Sequence, residues 1–384
     1  MTTTAVRSGP IRTRERVLAP DLARGLMLAL IALANSVVYL YGREYGVRQH
    51  IVESGLADRI VSVLTVTLVD GRAYPMFAAL FAYGVVQMFQ RRPDARQLVR
   101  RRSRWLIAFG FAHALLLFPG DILGLYGLVG LLLVGLVRVP DRRLLTLATL
   151  WLAVVALLQG AAYMAPPTSE RSFFWSFETA DPLQGMMLRP LEWLMTPIGV
   201  AGVGSAVLIG TWAARRGILT DPAAHRPLLV RTAILGLTAA VAGGLPVGLA
   251  VGHFWEPTAV AELWALSALH AVTGVAGGLG YAALIGLAAI RIGNRPGPVT
   301  RALVATGQRS LSCYLFQSVV FVALLTPWTL GLGATIGTAT VAAIALGTWL
   351  VSVLLADAMR RAGQRGPAEV LLRRLTYRTG KMAG

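Results

Sequence analysis

The sequence predicts an all-α, polytopic membrane helix bundle of about ten transmembrane helices, with both termini cytoplasmic. Three observations support this. The 384 residues are 55% hydrophobic and 14% charged, with a mean hydropathy of +0.63; a soluble domain carries about 25% charge. Apolar runs recur at the length of about 20 residues that a bilayer core requires. Most of the 36 basic residues fall in alternate gaps between those runs, the pattern expected of cytoplasmic loops facing anionic lipid. The formal net charge of +18 therefore follows from topology and does not indicate nucleic acid.

The basic, polar residues 1–20 read as a disordered cytoplasmic tail. The run after them is too long for a signal-peptide core and forms a retained first span, Leu22–Tyr41. It opens with Asp21 and Arg24, an i, i+3 pair, and carries Asn35 deeper in. Gly42 to Asp58 is polar and lies outside with His50. Ala57–Val69 is marginally apolar and ends at Asp70-Gly71-Arg72; it is either a separate interfacial helix or the start of a long second helix, and Gly71 and Pro75 favour a break. Ala73–Phe89 returns to the cytoplasm.

The most informative stretch runs from Arg100 to Arg143. Two apolar runs, Trp105–Phe118 and Ile122–Val137, are joined by Pro119-Gly120-Asp121 and flanked by arginines, including Arg101 and Arg102. This is a helical hairpin with both ends cytoplasmic. Further spans follow at Leu144–Met164, Leu191–Ala214, Thr232–Val251, Leu263–Ile290, Leu303–Leu325 and Leu330–Ala356. An aromatic outside loop occupies Ala165 to Pro190, suited to an interfacial belt or a lid. Residues 357–384 form a basic cytoplasmic tail. Residues 21–356 thus make one bundle, with an N-terminal part over 21–165 and a C-terminal part over about 191–380. Glycines at every fourth position, such as Gly244, Gly248 and Gly252, mark close helix packing.

Ionisable groups at membrane depth cost a few kcal/mol each unless they are paired or used. His113, Asp121, Asp70, Arg72 and His270 fall in the outer half of the bilayer, and Asp21, Arg24 and Arg309 in the inner half. Ser310, Tyr314, Gln317 and Ser318 share one face of their span. Each has a structural alternative: Asp121 can cap the helix after it, Asp70 and Arg72 can form an ion pair, and Tyr314 and Gln317 can bond across helices. Histidine with carboxylate at one depth is also what a general base or a proton relay needs.

No pair of histidines or acids has metal-ligand spacing on a helix, so no metal site is expected. No GxSxG elbow or GxxxxGK[ST] loop occurs, which argues against a soluble-type hydrolase or an ATP-driven pump. The single Cys313 rules out an intramolecular disulfide.

Five segments, in order, carry a family resemblance: APDLARGLMLALIALANS, DGRAYPMFAALFAYG, RRRSRWLIAFGFAHALLLFPGDILGLYGLVGLLL, LVATGQRSLSCYLFQS and RGPAEVLLRRLTY. The chain resembles the YeiB-like bacterial membrane proteins, whose C-terminal half is a domain of unknown function (418), and more distantly the transmembrane acyltransferases that include heparan-α-glucosaminide N-acetyltransferase. Tyr126 falls in the GDIL-x-x-Y motif. The chain departs from the family at Ser312-Cys313, where Thr-Asn is usual, and at Phe81-Ala82-Tyr83-Gly84, where F-G-x-G is usual.

The resemblance implies a protein of the bacterial cytoplasmic membrane that takes an acyl group from acyl-CoA, a co-substrate and not a tightly bound cofactor, to an extracytoplasmic glycan, lipid or small molecule. His113 would then be the general base, oriented by Asp121 or Asp70, with Arg24, Arg101 and Arg102 on the donor's phosphates. The remaining candidate binding residues are Asp21, Asn35, Arg72, Tyr126, His270, Arg309, Tyr314, Gln317 and Ser318. The alternatives are a proton-coupled transporter using His113, His270 and Asp70, and a structural or sensing membrane protein.

Overall fold

The structure is a computed structural model that describes residues 18–162, 171–257, 259–293 and 295–377. It is all-helical: among the described residues the only extended pairing is one bridge between Tyr45 and Ile51. The helices are α1 (Leu18–Ser36), α2 (Leu56–Leu68), α3 (Ala73–Arg91), α4 (Ala95–Leu116), α5 (Ile122–Leu136), α6 (Asp141–Ala162), α7 (Pro182–Trp193), α8 (Thr196–Arg215), α9 (Arg226–Val251), α10 (Val260–Ile292), α11 (Pro298–Gln308), α12 (Ser310–Leu325), α13 (Thr338–Arg361) and α14 (Pro367–Tyr377).

Among the described residues, seven candidate spans are long and apolar enough to cross a membrane, or eight with α11 and α12 taken as one bent span. Leu150, Leu157, Ile234, Leu235, Leu350 and Leu354 point outward from such helices. An apolar girdle of this kind is unfavourable in water and ordinary in lipid. The protein is an integral membrane protein.

The open question at Ala57–Val69 resolves into one long element. α2 and α3 form a single candidate span, Leu56–Arg91, of 36 residues. The turn between them runs through Gly71, whose φ of +72° favours a residue without Cβ. The glycine stripes cradle this element. A Cβ on Gly248 would meet Val63 and Thr67 of α2, one on Gly274 would meet the Gly71 carbonyl, and one on Gly210 would meet Ala79 of α3. Such stripes let backbones approach closely where no hydrophobic effect drives association.

The hairpin forms as expected, with α4 beginning ten residues before the apolar run Trp105–Phe118 because its first turns are basic. Gly127 and Gly130 let α5 lie against Ser103 and Ile107 of α4.

Three elements differ from the sequence reading. The straight span expected over Leu303–Leu325 is broken: α11 and α12 meet at an 84° bend. The bend falls at Arg309, where Thr306-Gly307-Gln308-Arg309-Ser310 interrupts the apolar run and Gly307 packs against the Asp21 carbonyl of α1. The aromatic outside loop contains a helix, α7, capped by Asp181. Of the loop's aromatics, Phe174 and Phe177 pack against Phe118 and Tyr39, while Phe173 and Trp175 remain exposed. The C-terminal basic segment folds into α14, where Glu369 accepts from the Leu311 and Ser312 amides at the start of α12. Residues 1–17 of the expected N-terminal tail lie outside the described residues.

Candidate functional site

The turn Pro119-Gly120-Asp121 stops α4 and starts α5, so Asp121 sits at the mouth of the hairpin with two carboxylate oxygens to place. Oδ2 accepts from the Gly124 amide at 2.6 Å, an N-cap. Oδ1 lies 2.9 Å from Nδ1 of His113, one turn back from the end of α4. The other ring nitrogen, Nε2, lies 2.9 Å from the Ser318 hydroxyl on α12. All three side chains are buried, at 3% exposure for His113, 5% for Asp121 and 3% for Ser318. The cap and the catalytic-type pairing expected as alternatives for Asp121 are present together. The Tyr314 ring packs 4.9 Å from the His113 ring, and its hydroxyl has no hydrogen-bond partner.

Asp121 also lines a cavity of about 420 Å³. A second polar cluster lines the same cavity. Asp70 does not reach His113. Its carboxylate pairs with Arg48 at 2.9 Å and lies 3.4 Å from His270 Nε2. The ion pair expected between Asp70 and Arg72 is replaced by this one, because Arg72 turns inward. Arg72 is fully buried and donates to the Asp70 and Ala240 carbonyls, with Nη1 at 2.8 and 3.0 Å from the two ring nitrogens of His270. An arginine only donates, so the His270 nitrogen it bonds must accept. His50, expected at the solvated surface, lines the cavity. Burial pushes its imidazole down to about 4; Asp70 opposes that shift and Arg48 adds to it.

The other candidates divide by depth. Asn35 accepts from the Tyr74 hydroxyl at 2.6 Å, and Tyr126 bonds the Tyr74 carbonyl at 3.3 Å. Gln317 donates to the Leu28 carbonyl at 3.4 Å, leaving its Oε1 without a partner. Near the arginine-rich end, Arg24 pairs with Asp21 at 2.9 Å, and Asp21 also accepts from Gln308 at 3.1 Å. Arg24 approaches α3 at Gly84, and the Arg102 guanidinium lies 6.0 Å from the Phe81 ring, one turn away on the same helix. Arg101 differs: it donates to the Thr376 carbonyl of α14 at 3.1 Å. Arg309 bonds the Ala305 and Gln364 carbonyls and so holds the bend together.

Arg48 is the site residue that the sequence reading missed. The available signal was its position: an arginine on the arginine-poor side runs against the topological trend. The same signal marks Arg171 and Arg189, which donate to backbone carbonyls at Val38, Leu40 and Leu115.

Fold and site together define an integral membrane protein with a buried carboxylate–imidazole–hydroxyl chain beside a polar-rimmed cavity. Residues 213–379 match the family described as Protein of unknown function (DUF418). The chain is 27% identical over 164 residues to the uncharacterized protein YxaH of Bacillus subtilis (strain 168), covering 40% of each chain. It is 43% identical over 63 residues to the uncharacterized protein YeiB of Escherichia coli (strain K12), covering 16% of each. The matches thus span less than half the length of either relative. Over these segments the chain is similar to the YeiB-like DUF418 proteins.

Proposed function

We propose that this protein is a membrane acyltransferase, passing an acyl group from acyl-CoA at its arginine-rich end to an acceptor in the cavity at the opposite end. The observation that supports this best is His113, held by Asp121 on one nitrogen and facing Ser318 on the other, 2.9 Å from each. An imidazole so oriented takes a proton from a hydroxyl or amine. The cavity of about 420 Å³ suits a small acceptor or one sugar-like unit of a larger one. Arg24, which pairs with Asp21 in this structure, and Arg102 converge on the Phe81–Gly84 stretch of α3 and are the phosphate partners; Arg101 donates to the Thr376 carbonyl of α14. In this reading α4 and α5 also cross, giving ten crossings in a bacterial plasma membrane with both termini cytoplasmic.

Calorimetry with acetyl-CoA on the purified protein in detergent tests the reading. Micromolar binding, weakened at least tenfold by Arg24→Ala, is expected. No binding to folded protein would sink it.

The Asp70–His270–Arg48 cluster and the broken α11–α12 pair favour a second reading, proton-coupled transport of a small molecule through the cavity. Substrate flux in proteoliposomes that depends on Asp70, with no acyl-CoA consumed, would select it.

A further inference from the structure

Ser318 completes the chain that starts at Asp121. An ionised carboxylate only accepts, so His113 Nδ1 carries the proton that meets Asp121, and the neutral ring leaves Nε2 as an acceptor. Ser318 then donates to Nε2 at 2.9 Å. This hydroxyl–imidazole–carboxylate order is the one that activates a weak serine nucleophile, and it is recognised by geometry and not by position in the chain. A serine in an apolar helix usually bonds the carbonyl four residues back. Here that contact, to Tyr314, is a long 3.4 Å, and the shorter bond goes to the histidine. Beside it the buried Tyr314 ring packs 4.9 Å from the His113 ring.

We propose that Ser318 is an acyl-carrying nucleophile, taking the acyl group from a thioester donor as an ester before the acceptor receives it. This rests on the acyl-transfer reading above. In the first step His113 Nε2 takes the Ser318 proton as Oγ attacks the thioester carbonyl carbon. The C–S bond breaks, and the thiolate leaves as a free thiol with that proton from His113. In the second step the acceptor gives its O–H or N–H proton to His113 and attacks the ester carbonyl. The C–O bond to Ser318 breaks and Oγ regains the proton. Nothing is oxidised or reduced. Ser318 stands eight residues beyond Ser310, about 12 Å of helix past the bend, so the donor's arm need not reach the cavity itself.

The test incubates full-length protein in detergent with radiolabelled acetyl-CoA, quenches in acid, and maps the label by mass spectrometry while free CoA is measured in parallel. Expected is one acetyl group on the peptide holding Ser318, resistant to neutral hydroxylamine. Ser318→Ala should lose it, with CoA release down at least a hundredfold and only the small fall in melting midpoint that one lost buried hydrogen bond brings. Ser318→Cys should carry a hydroxylamine-labile label instead. Three results overturn the proposal but leave acyl transfer standing: CoA release by the wild type without label, a labile wild-type label on Cys313, or Ser318→Ala releasing CoA at the wild-type rate. No CoA release and no label on folded wild type would also overturn the proposal, while failure to bind acetyl-CoA at all would overturn both it and the acyl-transfer reading.

Discussion

Replacing Asp121 separates its two tasks. One oxygen caps α5 and the other orients His113. Asp121→Ala removes both. The cap accounts for about 1 kcal/mol and a hydrogen bond to a charged group for about 1.5–3 kcal/mol, so a loss of about 2.5–4 kcal/mol is expected. Asp121→Asn is more informative. Asparagine is as good a cap as aspartate, so its single side-chain oxygen stays on the Gly124 amide. Its NH2 then faces His113 Nδ1 and can only donate. The imidazole must switch tautomer, placing its proton on Nε2 opposite Ser318, where it can no longer act as a base. Stability should fall by only about 1–2 kcal/mol, while acyl transfer falls by about a hundredfold to ten-thousandfold, or about 3–5 kcal/mol in the barrier. Thermal unfolding in detergent measures the first quantity and CoA release the second. An Asn variant with activity within threefold of wild type would refute the assignment of His113's tautomer to Asp121.

Two further perturbations follow. Gly110 of α4 faces the Asp121 turn so closely that a Cβ there would lie 2.2 Å from both Asp121 Oδ2 and the Gly124 nitrogen. Gly110→Ala should cost about 1–3 kcal/mol by overpacking and reduce activity by moving Asp121, whereas alanine at Gly135, where a Cβ meets nothing within 4 Å, should leave activity unchanged. For His50 the pH dependence has a definite sign. Its folded value of about 4 lies below the ordinary 6.5. As pH falls through that window the unfolded chain binds the proton first, so the stability His50 contributes is complete above about pH 6.5 and lost progressively towards pH 4. His50→Gln should flatten that part of a melting-midpoint profile, and its NMR signal should not titrate between pH 7 and pH 5.

Hydropathy made the helices legible, and turn chemistry made the α4–α5 hairpin legible: Pro119-Gly120-Asp121 cannot continue a helix and supplies a cap. The shared face of Ser310, Tyr314, Gln317 and Ser318 followed from helical spacing, and the last three are buried. The partners were not legible. His113 and Ser318 are 205 positions apart, and no local pattern encodes which helices will touch. Asp70 was assigned its sequence neighbour Arg72, whereas Arg48, from the preceding loop, reaches it. The bend at Arg309 was hidden because a hydropathy window averages over a five-residue polar interruption. The amphipathic α14 reads by composition as a basic tail, and only its dock against α4 and α12 makes it structure.

The most direct test of acyl transfer centred on His113 is CoA release from acetyl-CoA by protein reconstituted in lipid vesicles, comparing wild type with His113→Gln at matched thermal stability. Wild type should release CoA, and the variant should do so at least a hundredfold more slowly while still binding acetyl-CoA as tightly. Equal rates for the two proteins would contradict the account.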